Sequence, residues 1–198
     1  MLAKHPACPS SSLTVRLKTE VSSLLVNAYA QIPPEPGDPV FSSSFYAPYE
    51  AAAAGVLALL CDARSRMPLD VLSVGYRLKS SVSIRGKLRR KGLPETVAAA
   101  RSALRDVAGL RVVLASREAV YRFAELIISY PAIELEDIHD YIAFPKPSGY
   151  RSLHLIMRMS VGTSPYRIPA EIQLRTAAMD AWACAEHALI YKPLSQLR

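Results

Sequence analysis

Two polar clusters in the last third of the chain hold the side chains best suited to chemistry: Pro145-Lys-Pro-Ser-Gly-Tyr-Arg-Ser-Leu-His154 and Glu171-Ile-Gln-Leu-Arg-Thr176. They bring cations, a carboxylate, an imidazole and a phenol together at a density that no hydrophobic core requires and that a site for two nucleotides does. If Ala170 to Arg175 is a strand, Glu171, Gln173 and Arg175 share one face by the two-residue period, with Ile172 and Leu174 opposite. Such a strand either lies at a sheet edge or lines a cleft. Tyr150 and His154 also fall on one face, with Lys146 just upstream. A tyrosine ring can stack on a base while lysine and histidine meet phosphates; the alternative is a half-buried tyrosine among surface cations.

Seven cations stand between Arg77 and Lys91 (Arg77, Lys79, Arg85, Lys87, Arg89, Arg90, Lys91), and no acid occurs from Val71 to Pro94. An unmixed run at a strand-to-helix junction suits phosphate, aided by the free amides of a helix start, although a solvated face can also be basic. Asp106 stands at the entry to a buried strand, as a turn residue or as a second site carboxylate. Asp180, Cys184 and His187 form a stripe on the last helix that lacks the fourth ligand zinc requires. Cys184, Met179, Trp182 and Ile190 are expected in the core, with Glu186 reaching the cleft.

The elements that must position these groups can be read from pattern and punctuation. Residues 1–45, broken by Ser10 to Ser12, Pro33 to Pro39 and Ser42 to Ser44, are expected to form an extension with at most one helix over Ser12 to Ile32. Helices are expected over Tyr46 to Arg66, Ser83 to Lys91 (capped by Ser80 or Ser81 and stopped by Gly92 and Pro94), Glu95 to Arg105, Ser116 to Ser129 and Thr176 to Tyr191. Strands are expected over Leu72 to Leu78, Val107 to Ala115, Ile133 to Ile142, Arg151 to Val161 and Tyr166 to Arg175, the last two as a hairpin. The order gives an α/β domain, a mixed β-sheet flanked by helices, over residues 46–192, followed by a short tail, 193–198.

Composition bounds the class. At 198 residues and 51% hydrophobic content the chain can bury one sizeable core, and 24 Lys and Arg against 17 Asp and Glu give a net charge of +7, favouring polyanionic partners. The three widely spaced cysteines, Cys8, Cys61 and Cys184, exclude a disulfide framework and fit a reducing cytoplasm. The longest apolar run, Ala51 to Cys61, is much shorter than the ~20 residues of a membrane span, and Met1 to Glu20 lacks a secretory apolar segment, so no membrane partner is expected.

Five ordered blocks resemble the synthetase domain of the RelA/SpoT alarmone synthetases, particularly the small stand-alone members: Gly75-Tyr-Arg-Leu-Lys-Ser, Ser83-Ile-Arg-Gly-Lys-Leu-Arg-Arg-Lys, Asp106-Val-Ala-Gly-Leu-Arg111, Tyr141-Ile-Ala-Phe-Pro-Lys-Pro-Ser-Gly-Tyr-Arg-Ser-Leu-His154 and Glu171-Ile-Gln-Leu-Arg-Thr176. The resemblance implies a nucleotidyltransferase-like fold that moves pyrophosphate from ATP to the 3′-hydroxyl of GTP or GDP and releases AMP. By position it implies that Arg77 and Arg111 sandwich adenine, and that Lys79, Ser83, Lys87 and Arg90 hold the ATP phosphates. Asp106 would bind Mg²⁺; Glu171 would take the hydroxyl proton and share the metal. Tyr150 would stack on the acceptor base, with Lys146, His154, Gln173, Arg175 and Glu186 around the acceptor. Asp180 stands where relatives often carry a different polar residue, which bears on acceptor preference. The chain ends soon after Lys192, without the C-terminal helices of tetrameric relatives, so a monomer or weak dimer unable to degrade its product is expected. Two other functions are compatible with these residues. One is a toxic relative acting on the 3′ CCA end of tRNA or making adenosine alarmones, with an antitoxin partner. The other is a catalytically silent nucleotide- or RNA-binding module.

Overall fold

The computed structural model describes residues 38–162 and 166–191. The helix expected over Ser12 to Ile32, Lys192 and the tail lie outside the described residues. Helix α1 (Ser43–Arg66) leads into β1 (Val71–Leu78), α2 (Ser81–Arg90), α3 (Val97–Ala103), β2 (Ala108–Leu114) and α4 (Arg117–Ile128). Then follow β3 (Ile133–Asp140), β4 (Leu153–Ser160), β5 (Arg167–Thr176) and α5 (Ala177–Tyr191). Three helices start where a hydroxyl accepts from the amide three residues on: Ser80 from Ser83, Thr96 from Ala99 and Ser116 from Ala119. Gly92 follows α2 at φ 67°, a left-handed position that only glycine adopts freely.

Element boundaries depart from the sequence reading where a side chain intervenes. Helix α3 ends at Ala103 because Leu104 turns extended and buries itself completely. Strand β3 stops at Asp140, whose Oδ1 accepts from the amides of Ile142 and Ala143, both at 2.9 Å, and bends the chain. The packed unit also reaches further back than residue 46. Phe41 and Phe45 are core residues, and Asp38 forms a two-pronged ion pair with Arg85 at 2.9 and 3.1 Å. Each such buried ring contributes roughly 1.5–3 kcal/mol.

The five strands are ordered β1-β2-β5-β4-β3. All neighbours are antiparallel except β2 and β5, which run parallel, so the sheet is mixed as expected. One face meets α1 and α4 and forms the core, with Ala108, Leu110, Val112, Leu155, Met157, Ile172 and Leu174 buried along the central strands. Helix α1 has the length and apolar composition of a membrane span, but Phe45, Tyr46, Tyr49, Ala53, Val56, Leu57 and Leu60 are packed into this core. The hydroxyl of Tyr46 donates to the backbone oxygen of Lys79 at 3.0 Å, pinning α1 beneath the start of α2.

Residues on the other face line up across the ladder in two rows. One row runs Arg77, Gly109, Glu171, Ile156, Asp137; the next runs Gly75, Arg111, Gln173, His154, His139. Strand β5 is therefore interior, and its polar face belongs to a cleft rather than to an edge.

Candidate active site

The two rows form the floor of an open cleft of about 1000 Å³. Of the residues singled out in the sequence, Arg77, Lys87, Asp106, Arg111, Lys146, Tyr150, His154, Glu171, Gln173, Arg175 and Glu186 line it. Asp106 and Glu171, 65 positions apart in sequence, meet here because β2 and β5 pair in parallel. Lys79, Ser83 and Arg90 do not line the cleft wall. Lys79 sits directly behind it, while Ser83 and Arg90 are exposed on α2.

At one end Asp106 Oδ2 accepts from Lys79 Nζ at 2.6 Å and from Lys87 Nζ at 2.8 Å. Burial pushes this carboxyl up, but the two ammonium groups outweigh burial and hold it below the usual range. For Lys79 the balance falls the other way. Burial pulls its ammonium down, and the neighbouring Lys87 and Arg77 repel it, so one shared carboxylate does not compensate fully. Asp106 Oδ1 is buried and, among the described residues, has no hydrogen-bond partner. An orphaned anionic oxygen of this kind calls for a ligand. A hard divalent cation fits it, since magnesium takes one or two carboxylates and completes its shell with water and phosphate oxygens.

At the centre Glu171 is held on both oxygens. Oε1 meets His154 Nδ1 at 2.9 Å, and Oε2 accepts from Gln173 Nε2 at 2.7 Å. Burial raises this carboxyl, His154 and Gln173 lower it, and the net shift is down, so Glu171 is anionic and ready to accept a proton. The position of Tyr150 is a correction. It precedes β4, so it reaches His154 not through strand alternation but through a 2.8 Å contact between its hydroxyl and Nε2. Both ring nitrogens of His154 are thereby engaged inside the protein. The Lys146 ammonium lies 4.5 Å from the centre of the Tyr141 ring and 4.9 Å from that of Tyr150, capping both aromatic faces. The loop that delivers these groups turns at Gly149, φ 84°, where a Cβ would also come within 3.4 Å of the Trp182 ring.

At the far end Asp180 Oδ1 accepts from Arg111 Nη1 at 2.7 Å and from Arg175 Nη1 at 3.1 Å. Burial lowers the Arg111 guanidinium's affinity for its proton, and Asp180 opposes that. The stripe expected to mimic a metal site is thus a carboxylate committed to two arginines. Cys184 is exposed and lies 3.6 Å from Arg111 Nη1, and Trp182 is 39% exposed, so neither belongs to the core. Met179 is buried; the side chains of His187 and Ile190 lie outside the described residues.

The basic run divides by function. Arg77, Lys87 and Lys91 line the cleft, whereas Arg85 is spent on Asp38 and Glu95, and Arg89 on Glu95. Sequence reasoning also missed a wall made by β3, where Glu136, Asp137 and His139 face the cleft. The pairing slips between Leu135 and Asp137, so Glu136 is an extra bulged residue and two successive carboxylates reach one side. Glu136 is held by Arg105 at 2.7 Å and by Arg158 at 2.8 Å. Only the break in alternation along β3 hinted at it.

Comparison with known proteins places the chain by family and fold. The family model described as the region found in RelA/SpoT proteins matches residues 76–196. The chain is 40% identical over 118 residues to the GTP pyrophosphokinase YwaC of Bacillus subtilis, covering 59% of this chain and 56% of that protein. With the GTP pyrophosphokinase YjbM of the same organism it shares 37% over 122 residues, covering 59% and 54%. The chain thus spans about half the length of these two relatives. Among solved structures, a GTP pyrophosphokinase family protein from Streptococcus pneumoniae superposes with TM-score 0.70 at 32% identity, over 77% of this chain and 80% of that one. The small alarmone synthetase 1 of Bacillus subtilis bound to its product pppGpp gives TM-score 0.68 at 32% identity, over 75% and 78%.

Proposed function

The chain belongs to the RelA/SpoT family, and from that premise we propose that it is a pyrophosphokinase: it transfers the β,γ-pyrophosphate of ATP to the 3′-hydroxyl of GTP or GDP and releases AMP. The observation that carries this reading is the meeting of Asp106 and Glu171 in one cleft between a cationic end and an aromatic end.

The residues divide the work by place. Arg77 and Arg111 are neighbours on adjacent strands, and their planar guanidiniums can hold the adenine of ATP between them. Lys87 and Lys91 reach the cleft beside Asp106 and suit the triphosphate; Lys79 holds Asp106 from behind, while Ser83 and Arg90 stand on α2 outside the cleft wall. Tyr150, with Tyr141 beside it, offers the ring on which an acceptor base stacks, and Lys146 must leave that ring to let the base in. Once displaced, Lys146 is placed for the acceptor's 5′-phosphates, with Glu186 on the wall opposite the sheet.

The ribose hydroxyl is a poor nucleophile at neutral pH. Glu171 accepts its proton as the oxygen attacks the β-phosphorus, the bond from that phosphorus to the α-phosphate oxygen breaks, and AMP departs with the bond electrons. Asp106 Oδ1, with Glu171 near it, would hold Mg²⁺, which when bound offsets the charge on the phosphates. Arginine and lysine contacts fix the two substrates in line, and that alignment supplies much of the remaining acceleration. A cytosolic site of action fits the nucleotides consumed and the three widely spaced cysteines of the sequence.

The test is an acceptor panel. The protein is incubated with ATP labelled in its terminal phosphates and, separately, GDP, GTP, ATP or deacylated tRNA. Label is expected on GDP or GTP. Label on tRNA alone would replace the acceptor in this proposal with the tRNA 3′ end, and no label on any acceptor would leave a nucleotide-binding module.

A further inference from the structure

Arg175 is 6% exposed, and one of its nitrogens reaches Glu171 by two separate routes. Nη2 donates to the Tyr150 hydroxyl oxygen and to Gln173 Oε1, both at 2.6 Å. From Gln173 the route continues through its amide nitrogen to Glu171 Oε2 at 2.7 Å. From Tyr150 it continues at 2.8 Å to His154 Nε2, and from Nδ1 at 2.9 Å to Glu171 Oε1. The five side chains form a closed ring.

The directions of these bonds follow from chemistry. Arginine can only donate and an ionised carboxylate can only accept, so Arg175 donates to the Tyr150 oxygen and to Gln173 Oε1, while Gln173 Nε2 and His154 Nδ1 donate to Glu171. The Tyr150 hydroxyl and His154 Nε2 share the remaining link, whose donor is set by the tautomer of the ring. Burial pushes the Tyr150 phenol up, so its hydrogen stays in place near neutral pH. Each of the five side chains is bonded to two others, and a network closed in this way is rigid. Glu171 keeps further lone pairs for the cleft.

We infer that the Tyr150 hydroxyl is a positioning group for the transfer: acting through His154, it aims the Glu171 carboxylate at the acceptor hydroxyl. The same residue that presents a ring to the acceptor base thus also orients the proton acceptor, through a part of the side chain that the base does not touch. This inference rests on the reading of Glu171 as the proton acceptor.

Steady-state kinetics on the full chain separate the two ideas. Y150F keeps the ring and removes only the hydroxyl. Its kcat is expected to fall about ten-fold or more, since small misplacements of a reacting group cost rates of that order, while the acceptor KM stays within about two-fold because the stacking ring remains. H154A should lose at least as much. The double variant Y150F/H154A should be no slower than H154A alone, because the hydroxyl acts only through the imidazole. H154N, which keeps an N–H near the Nδ1 position, should recover part of the H154A loss. Binding of a non-hydrolysable ATP analogue should match wild type throughout, which excludes a folding defect as the cause. An unchanged kcat in Y150F overturns the inference, as do losses that multiply in the double variant or fall on the acceptor KM. E171Q run alongside distinguishes the levels. If it retains full activity, the role of Glu171 itself fails; if it is inactive while Y150F is normal, only the positioning arm fails.

Discussion

Gly109 on β2 pairs with Glu171 on β5 across the one parallel ladder of the sheet, and that pairing sets Asp106, three residues before Gly109, at the rim of the same cleft. A parallel pair requires a long crossover, and here α4, β3 and β4 occupy it.

Replacing Glu171 with Gln removes the proposed proton acceptor and keeps the shape. Loss of a general base costs about 10²- to 10⁴-fold in rate. E171Q is expected to lose transfer in that range with little change in the ATP KM, measured as initial rates of label transfer.

Asp106→Ala should abolish transfer and also weaken the fold, because it strands the mostly buried Lys79 ammonium. Breaking one side of a buried pair costs about 3 kcal/mol or more. Urea unfolding should show that loss in D106A and its partial recovery in D106A/K79M, which removes the stranded charge. Transfer should stay absent in both, separating the chemical role of the carboxylate from its structural one.

Asp38 supplies a pH signature. It accepts from the amides of Phe41 and Val40 and pairs with Arg85, so its pKa falls from 3.8 to about 2. A folded value below the unfolded one gives stability that is complete above about pH 4 and is lost as pH falls towards 2. D38N should therefore be less stable than wild type at pH 6, with the gap closing as pH approaches 2 in parallel unfolding curves. A gap that persisted at pH 2 would contradict this origin.

Gly149 holds φ 84°, and an alanine there meets both backbone strain and the Trp182 ring at 3.4 Å. The left-handed conformation alone costs a side chain about 1–2 kcal/mol. Because Tyr150 follows directly, G149A should raise the acceptor KM several-fold and leave the ATP KM close to wild type. Thermal unfolding and substrate titrations check the two halves.

Asp180 is the shared acceptor of Arg111 and Arg175. D180A frees both guanidiniums, one on the ATP side and one at the root of the Glu171 ring. A hydrogen bond to a charged group contributes about 1.5–3 kcal/mol, so an ATP KM at least about five-fold higher is expected, together with a lower kcat. D180N, which keeps one acceptor oxygen, should be milder in both.

Local chemistry on the chain determined most of the elements and many of the residues that line the cleft. The β-branched runs, the serine and threonine caps, and the Pro-Lys-Pro-Ser-Gly punctuation are instructions that short segments carry by themselves. The carboxylates, arginines and aromatic groups are too polar, and too closely spaced, for a core. Tertiary structure decided what each polar group does. Arg85 reads like its cationic neighbours until Asp38 arrives from outside the helix, and Asp180 reads only as one polar residue of a helical stripe until two strands bring arginines to it. Glu136 and Asp137 share a wall only because a bulge breaks the strand's alternation, and Tyr150 meets His154 through a hydrogen bond rather than a strand period. Periodicity reports which way a side chain faces along its own element; the partner it finds depends on distances across elements, and those are set only when the sheet closes over its core.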